Sequence, residues 1–205
     1  EARGLTGRSL RWRRTKDQVR ADLDRLVFED DAHRMGMDVR PDRAEMAFGM
    51  EDGRTVAVEL PSGRILRFRG KADRVDRGDD GSLVVLDYKT GKDNYTDLHK
   101  DPVQAGTVLQ LGIYAEAARE VVAEGKAVPV SSFYWMVSAK GGFAQRGYEW
   151  GDEHRARFLD VADTIVEGIE RGVFPALPGD FVPFWGSYKN CSWCDFDRIC
   201  PRDRD

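Results

Sequence analysis

Two aspartates and a lysine bracket a single turn in this chain. Residues 70–92 read GKADRVDRGDDGSLVVLDYKTGK. Short apolar stretches flank Gly78-Asp79-Asp80-Gly81, a sequence suited to a hairpin turn. Asp73 and Asp87 are equidistant from a fold-back centred near Asp80, so they are expected to face each other or to lie within a residue of doing so. Like charges opposed across a strand pair destabilise it. A divalent cation held by both would reverse that sign. Strand alternation puts Lys89 on the face of Asp87 and Tyr88 on the other. Two carboxylates and a lysine at one end of an apolar hairpin form a site for metal-assisted hydrolysis of a phosphodiester. The plainer alternative is a solvated hairpin, because Asp, Lys and Arg are commonest at surfaces. Against it stands Leu83-Val84-Val85-Leu86, apolar on both faces as in a strand buried mid-sheet. Charges that follow such a strand at once are costly to bury without a role.

All three cysteines fall within one short C-terminal stretch, Cys191-x-x-Cys194-x5-Cys200. A disulfide would leave one thiol over, and the C-x-x-C spacing suits metal better than a structural bridge. Three thiolates are one short of a closed tetrahedral zinc site or a four-cysteine iron–sulfur site.

The elements that must position these groups can be read from periodicity. Thr15-x-x-Gln18 resembles a capping box, followed at helical spacing by Val19, Leu23, Leu26 and Val27. Strands are expected near 44–50, 54–60, 64–76 and 82–89, with turns at Gly53 and Pro61-Ser62-Gly63. Pro102 opens a predicted helix that runs to about Gly125, placing Gln110 and Tyr114 on one face. Residues 130–138 and 143–150 form a second predicted hairpin over Lys140-Gly141-Gly142. Asp152 caps a helix with Phe158, Val161, Ile165 and Ile169 inward. From Phe174 the tail is rich in Pro and aromatics, irregular, and in need of a staple such as a metal cluster.

A chain of 205 residues can bury a proper core. Its net charge of −4 means that any nucleic-acid contact must follow a local basic path. Arg3, Arg8, Arg11, Arg13, Arg14 and Lys16 supply one such stretch, although a solvated arm would look the same. No apolar run is long enough to span a membrane. There is no secretory signal, and the start at Glu1 suggests that the natural N-terminus lies further upstream. Cysteines spaced for metal suggest a reducing cytoplasm. A G-x-x-x-x-G-K-[ST] phosphate loop is absent from the sequence, so an ATP-driven motor would lie outside it.

The motifs together resemble the PD-(D/E)XK nuclease superfamily, in particular its RecB-type branch. Gly70-Lys71-Ala72-Asp73-Arg74-Val75-Asp76 resembles the branch's G-x-x-D-R-x-D strand, and Asp87-Tyr88-Lys89-Thr90-Gly91 its D-Y-K-T-G. Gln110-Leu111-Gly112-Ile113-Tyr114 resembles its Q-x-x-x-Y helix, and Glu45-Met46-Ala47-Phe48 its upstream E-x-x-F. The cysteine stretch is similar to the iron–sulfur tail of AddB-type exonucleases, whose further cysteine sits far upstream.

The resemblance implies an α/β fold with a restriction-endonuclease-like core: a mixed, mainly antiparallel sheet flanked by helices. It divides the chain into an N-terminal arm and helix (1–40), a nuclease core (41–173) and a cysteine tail (174–205). Asp73, Asp87 and Lys89 are the implied catalytic residues. The two aspartates would hold Mg²⁺ or Mn²⁺, with the Tyr88 main-chain carbonyl and Glu45 as further ligands. Lys89 would orient the attacking water or stabilise transition-state charge. Gln110 and Tyr114 would position DNA or the catalytic strand, and Arg74 and Lys92 would contact phosphate. Cys191, Cys194 and Cys200 would hold a [4Fe-4S] cluster with a fourth cysteine outside this segment.

The implied function is metal-dependent exonuclease-type cleavage of single-stranded DNA or free ends in repair and recombination, with a helicase subunit or domain as partner. The rival reading is a catalytically silent DNA-binding or structural module, which usually betrays itself by loss of an acid or the lysine. RecB-type members also carry a metal-binding histidine on a helix ahead of the first strand. His33 lies nearest that place, in a context that reads as charged and loop-like, with His99 and His154 further along.

Overall fold

The computed structural model describes residues 9–50, 54–192, 194–196 and 200; the expected turn at Gly53 and the arginines Arg3 and Arg8 lie outside the described residues. The chain divides into two compact units, Glu1–Asp163 and Thr164–Asp205. The division falls inside a helix, upstream of the 173/174 boundary expected from the sequence.

The first unit opens with a long helix, α1 (Ser9–Met37), followed by β1 (Val39–Phe48). The helix starts well before the capping-box residues, because the segment from Ser9 to Met35 contains no Gly or Pro to stop it. Gln18 lies within the helix and donates to Asp22 Oδ1 at 2.9 Å. His33 is therefore helical and buried rather than in a loop. Arg34 bonds back to Asp30 at 3.0 Å and to Asp31, so the acidic run is absorbed into the last turns.

β2 (Val56–Glu59) and β3 (Ile65–Phe68) form a separate two-stranded ribbon. The single strand expected over 64–76 thus breaks at Arg69, and its second half, β4 (Gly70–Gly78), enters the main sheet. β5 (Leu83–Lys89) follows across the expected turn, closed by the Gly78 N–H donating to the Ser82 carbonyl at 2.9 Å. The five-stranded sheet has the order β1-β4-β5-β6-β7, where β6 is Val130–Met136 and β7 is Gln145–Glu149. All neighbours are antiparallel except β5 and β6. A parallel pair needs a long crossover, and α2 (Gln110–Val121) provides it.

α2 begins later than the sequence suggests. The Asp101 carboxylate accepts from the Val103 and Ala105 N–H groups at 3.3 and 2.9 Å, and Gln104 and Ala105 adopt φ of 43° and 53°. Residues 102–109 are thereby held in tight turns, and the α-helix starts at Gln110. Gly112 lets α2 approach closely, since a Cβ there would stand 2.9 Å from both the Trp150 and Phe158 rings.

β5 is the central strand, and its apolar run divides between two cores. Leu83 and Val85 pack on the α2 face with Val75, Leu111, Ala115 and Tyr134. Val84 and Leu86 pack on the α1 face with Val39, Trp135 and half-buried Leu26. Val19, Leu23 and Val27, which follow Gln18 at helical spacing, are exposed. α3 (Asp152–Glu170) buries Phe158 as expected, and Val161 packs against the core. Ile165 and Ile169, expected inward, are exposed in the second unit, because periodicity identifies an apolar face and not what covers it. After α3, the described residues of that unit are irregular apart from a short hairpin of β8 (Phe181–Val182) and β9 (Ser187–Tyr188).

Candidate active site

The last ladder pair between β4 and β5 is Arg74 with Leu86, so the next step of the register sets Asp73 against Asp87. The ladder stops there because the Asp73 side chain takes over: its Oδ2 accepts from the Tyr88 N–H at 2.8 Å. Continuing across the sheet, Asp87 pairs with Tyr134 on β6, and Tyr134 with Arg146 on β7. Asp73, Asp87 and Tyr134 thus form one row, in which Asp87 and Tyr134 are buried and Asp73 is half-buried.

Lys89 stands two residues beyond Asp87 on the same face. Its Nζ lies 2.5 Å from Asp87 Oδ2, 3.1 Å from Gln110 Oε1 and 5.0 Å from the centre of the Tyr134 ring. Gln110 is itself oriented from one helical turn on, its Nε2 donating to Tyr114 Oη at 2.7 Å. Tyr134 stacks on Tyr95 with ring centres 4.2 Å apart. Gln110 therefore reaches the site through Lys89, and Tyr114 both orients Gln110 and bonds to the Asp87 carboxylate. Sequence reasoning misses Tyr134; its only signal there is an aromatic position at the carboxyl end of a strand paired with β5.

Burial pushes the Asp87 carboxyl above the ordinary carboxylate range; Lys89 works against that rise, and the Asp73 charge adds to it. Asp87 Oδ2 is buried, with the Lys89 ammonium 2.5 Å away. A desolvated carboxylate beside a second carboxylate fits a hard cation with oxygen ligands. Among the described residues no three His, Cys, Asp or Glu side chains are gathered as a ligand set, so the protein would offer two carboxylates and leave other positions to substrate and solvent.

Other candidates fall elsewhere. Glu45 occupies the β1 position facing Asp73 by register, but with φ of 52° its exposed side chain pairs with Lys71 at 3.0 Å. Lys92 is exposed on the loop after β5. Arg74 is turned to the opposite face of the sheet, where its Nε and Nη2 donate to Asp76 at 2.5 and 2.7 Å and its Nη1 to Asp30 at 2.5 Å and to Tyr88 Oη at 3.3 Å. Burial opposes its charge, and these partners hold the guanidinium charged all the same. That placement offers no phosphate contact at the Asp73–Asp87 site.

His33 belongs to the same rear cluster. Its Nε2 is 3.5 Å from Asp76 Oδ2, its Nδ1 is 3.1 Å from Gln145 Nε2, and its ring lies 5.0 Å from that of Trp135. Asp76 is fully buried; burial alone would raise its carboxyl, but His33 and Arg74 overcome this and hold it below the ordinary range. The cluster ties α1 to β4 and β5 directly behind the candidate catalytic groups.

In the second unit the three cysteines are free thiols bordering one cavity of about 620 Å³, with Phe174, Leu177 and Phe196. They match the donor type of an iron–sulfur cluster and fall one short of four.

A family model described as the PD-(D/E)XK nuclease superfamily matches residues 3–201. The chain is 35% identical over 100 residues to an ATP-dependent helicase/deoxyribonuclease subunit of Clostridium perfringens, covering 45% of this chain and 8% of that protein. It is 30% identical over 124 residues to the Gene 69 protein of Mycobacterium phage D29, covering 60% of this chain and 38% of that one. Among solved structures, a candidate exonuclease from Eubacterium rectale aligns with TM-score 0.42 at 17% identity, over 89% of this chain and 59% of the other. The chain spans less than a tenth of the length of the helicase/nuclease subunits from Clostridium tetani and Clostridium perfringens that it matches.

Proposed function

This chain belongs to the PD-(D/E)XK nuclease superfamily, and from that premise we propose that it is a Mg²⁺- or Mn²⁺-dependent deoxyribonuclease of exonuclease type. The observation that carries the reading is the buried Asp87 carboxylate, with Asp73 as its register neighbour and Lys89 as its ion-pair partner. Asp73 and Asp87 would hold the cation, with the Tyr88 carbonyl as a further oxygen. When bound, it would polarise the scissile phosphate and acidify a water.

The protein's own groups have separate tasks. The Tyr88 N–H fixes one Asp73 oxygen and leaves the other free. Gln110 and Tyr134 hold the Lys89 ammonium in place, where it would face charge developing on the phosphate. Gln110, set by Tyr114, limits the lysine to one position. Preorganised charge of this kind needs little rearrangement as the reaction proceeds.

Following the RecB-type resemblance of its motifs, the chain would process DNA ends in repair or recombination, and the helicase/deoxyribonuclease relatives suggest a helicase subunit or domain alongside it. Cys191, Cys194 and Cys200 would carry a [4Fe-4S] cluster completed by a cysteine outside this segment; no catalytic step depends on it. The test is cleavage of linear single-stranded, linear duplex and closed circular duplex DNA with Mg²⁺, Mn²⁺ or chelator. Metal-dependent degradation of linear or single-stranded DNA is expected. Cutting of closed circles at a fixed sequence, or cleavage in chelator, would overturn the reading.

A further inference from the structure

At the carboxyl ends of β5 and β6, two loops lie side by side. Ser138 Oγ donates to the Thr90 carbonyl at 3.0 Å, and a Cβ on Gly141 would stand 2.8 Å from the Gly91 carbonyl. α1 is fastened beside them, the Ala139 N–H donating to Asp22 Oδ1 at 3.0 Å. Between helix and loops runs a groove of about 630 Å³, bordered by Arg14, Leu23, Leu26, Thr90 and Lys140. It begins at the residue that follows Lys89. Asp87 and Lys89 project to the α2 face of the sheet and the groove lies on the α1 face, so the two are joined over the carboxyl end of β5, at Thr90.

The charge of this groove departs from that of the whole molecule. Arg14 and Lys140 are exposed and have no ion-pair partner among the described residues. Asp22, the acid that borders the groove, is already engaged by Gln18 and the Ala139 N–H. Arg11, one turn before Arg14, extends the basic row along the helix. Residues 9–20 hold Arg11, Arg13, Arg14, Lys16 and Arg20 against Asp17 alone, in a chain of net charge −4. From Asp22 to Arg11 the row runs about 16 Å along α1.

We propose that this groove is the track for a single DNA strand that turns over the end of β5 at Thr90 to reach the Asp73–Asp87–Lys89 site, with phosphates on Arg14 and Lys140 and bases over Leu23 and Leu26. A basic rim beside an apolar floor suits unpaired bases, which a duplex keeps stacked inside. The inference deepens the nuclease reading and rests on it for the choice of ligand.

The test is binding of a fluorescein-labelled oligothymidylate by anisotropy, in chelator, across a salt series. Arg14→Gln combined with Lys140→Gln should weaken binding by roughly tenfold at low salt and reduce the salt slope by about 1.4. Lys140→Glu alone should weaken it further than Lys140→Gln. Lys126→Gln, at the amino end of β6, should change neither affinity nor slope. Wild-type affinity and slope in the double variant, no oligothymidylate binding by the wild type, or equal affinity for a duplex of the same length would overturn the proposal. Cleavage measured in parallel separates the two readings. Metal-dependent cleavage with unchanged binding in the double variant removes the groove and leaves the nuclease. Lost binding in a chain that never cleaves does the reverse.

Discussion

The Asp73 carboxylate accepts a hydrogen bond from the backbone N–H of Tyr88, 2.8 Å away, at the point where the β4–β5 ladder ends. A side chain thus replaces a main-chain partner between Asp87 and Lys89, and the strand that carries both is pinned by the residue that completes the pair of acids. Asp73→Ala should therefore do two things: remove a carboxylate and free the end of β5. Asp73→Asn keeps an oxygen able to accept from Tyr88. It should retain more thermal stability than Asp73→Ala, by about 1 kcal/mol, while cleaving no better. Chemical denaturation of the two variants checks this.

Asp87 should behave as a destabilised acid. Its folded-state pKa is raised, so the stability associated with its neutral form is present at low pH and lost as pH rises through that value. In metal-free buffer at neutral pH, Asp87→Asn should melt at a higher temperature than wild type, and the gap should close as pH falls through the carboxylate range. Adding Mg²⁺ or Mn²⁺ should stabilise wild type and leave Asp87→Asn unmoved. Melting curves across pH, with and without metal, decide it.

Tyr134 acts through Lys89. Tyr134→Phe keeps the ring under the ammonium and should cleave within about threefold of wild type. Tyr134→Leu should lower kcat by about 3- to 30-fold with little change in KM. Equal rates for the two variants would remove Tyr134 from the site and leave it as core packing.

The rear cluster should set acid stability. Asp76 is held below its ordinary range, so its contribution is present above that range and lost as pH falls through its folded-state value. Asp76→Asn strands Arg74 with one carboxylate partner fewer in a buried position and should cost about 3–5 kcal/mol at neutral pH. The difference should shrink in acid. Urea unfolding at several pH values measures both.

The hairpin and its acids are legible in the sequence because they obey local rules. Gly78-Asp79-Asp80-Gly81 defines the turn, the turn defines the register, and the register brings Asp73 to Asp87. The α/β class and the second hairpin follow from alternation and turn chemistry in the same way. What escapes is set by contacts distant in sequence. Arg74 looks available for phosphate because its partner on α1, Asp30, lies far upstream. His33 looks loop-bound because charge density hides helical continuity. The late start of α2 depends on Asp101 capturing two backbone N–H groups, a local device that Pro102 obscures. Tyr134 is joined to Lys89 only through the parallel β5–β6 pairing, which no hairpin rule supplies.

The most direct test of the central claim is single-turnover cleavage of a linear single-stranded oligonucleotide by wild type, Asp87→Asn and Lys89→Ala, each verified as folded, with Mg²⁺ or Mn²⁺ and with chelator. The account expects metal-dependent cleavage by wild type and a loss of about 10²–10³-fold or more in each variant. Wild-type rates in a folded Asp87→Asn protein, or cleavage that persists in chelator, would contradict it.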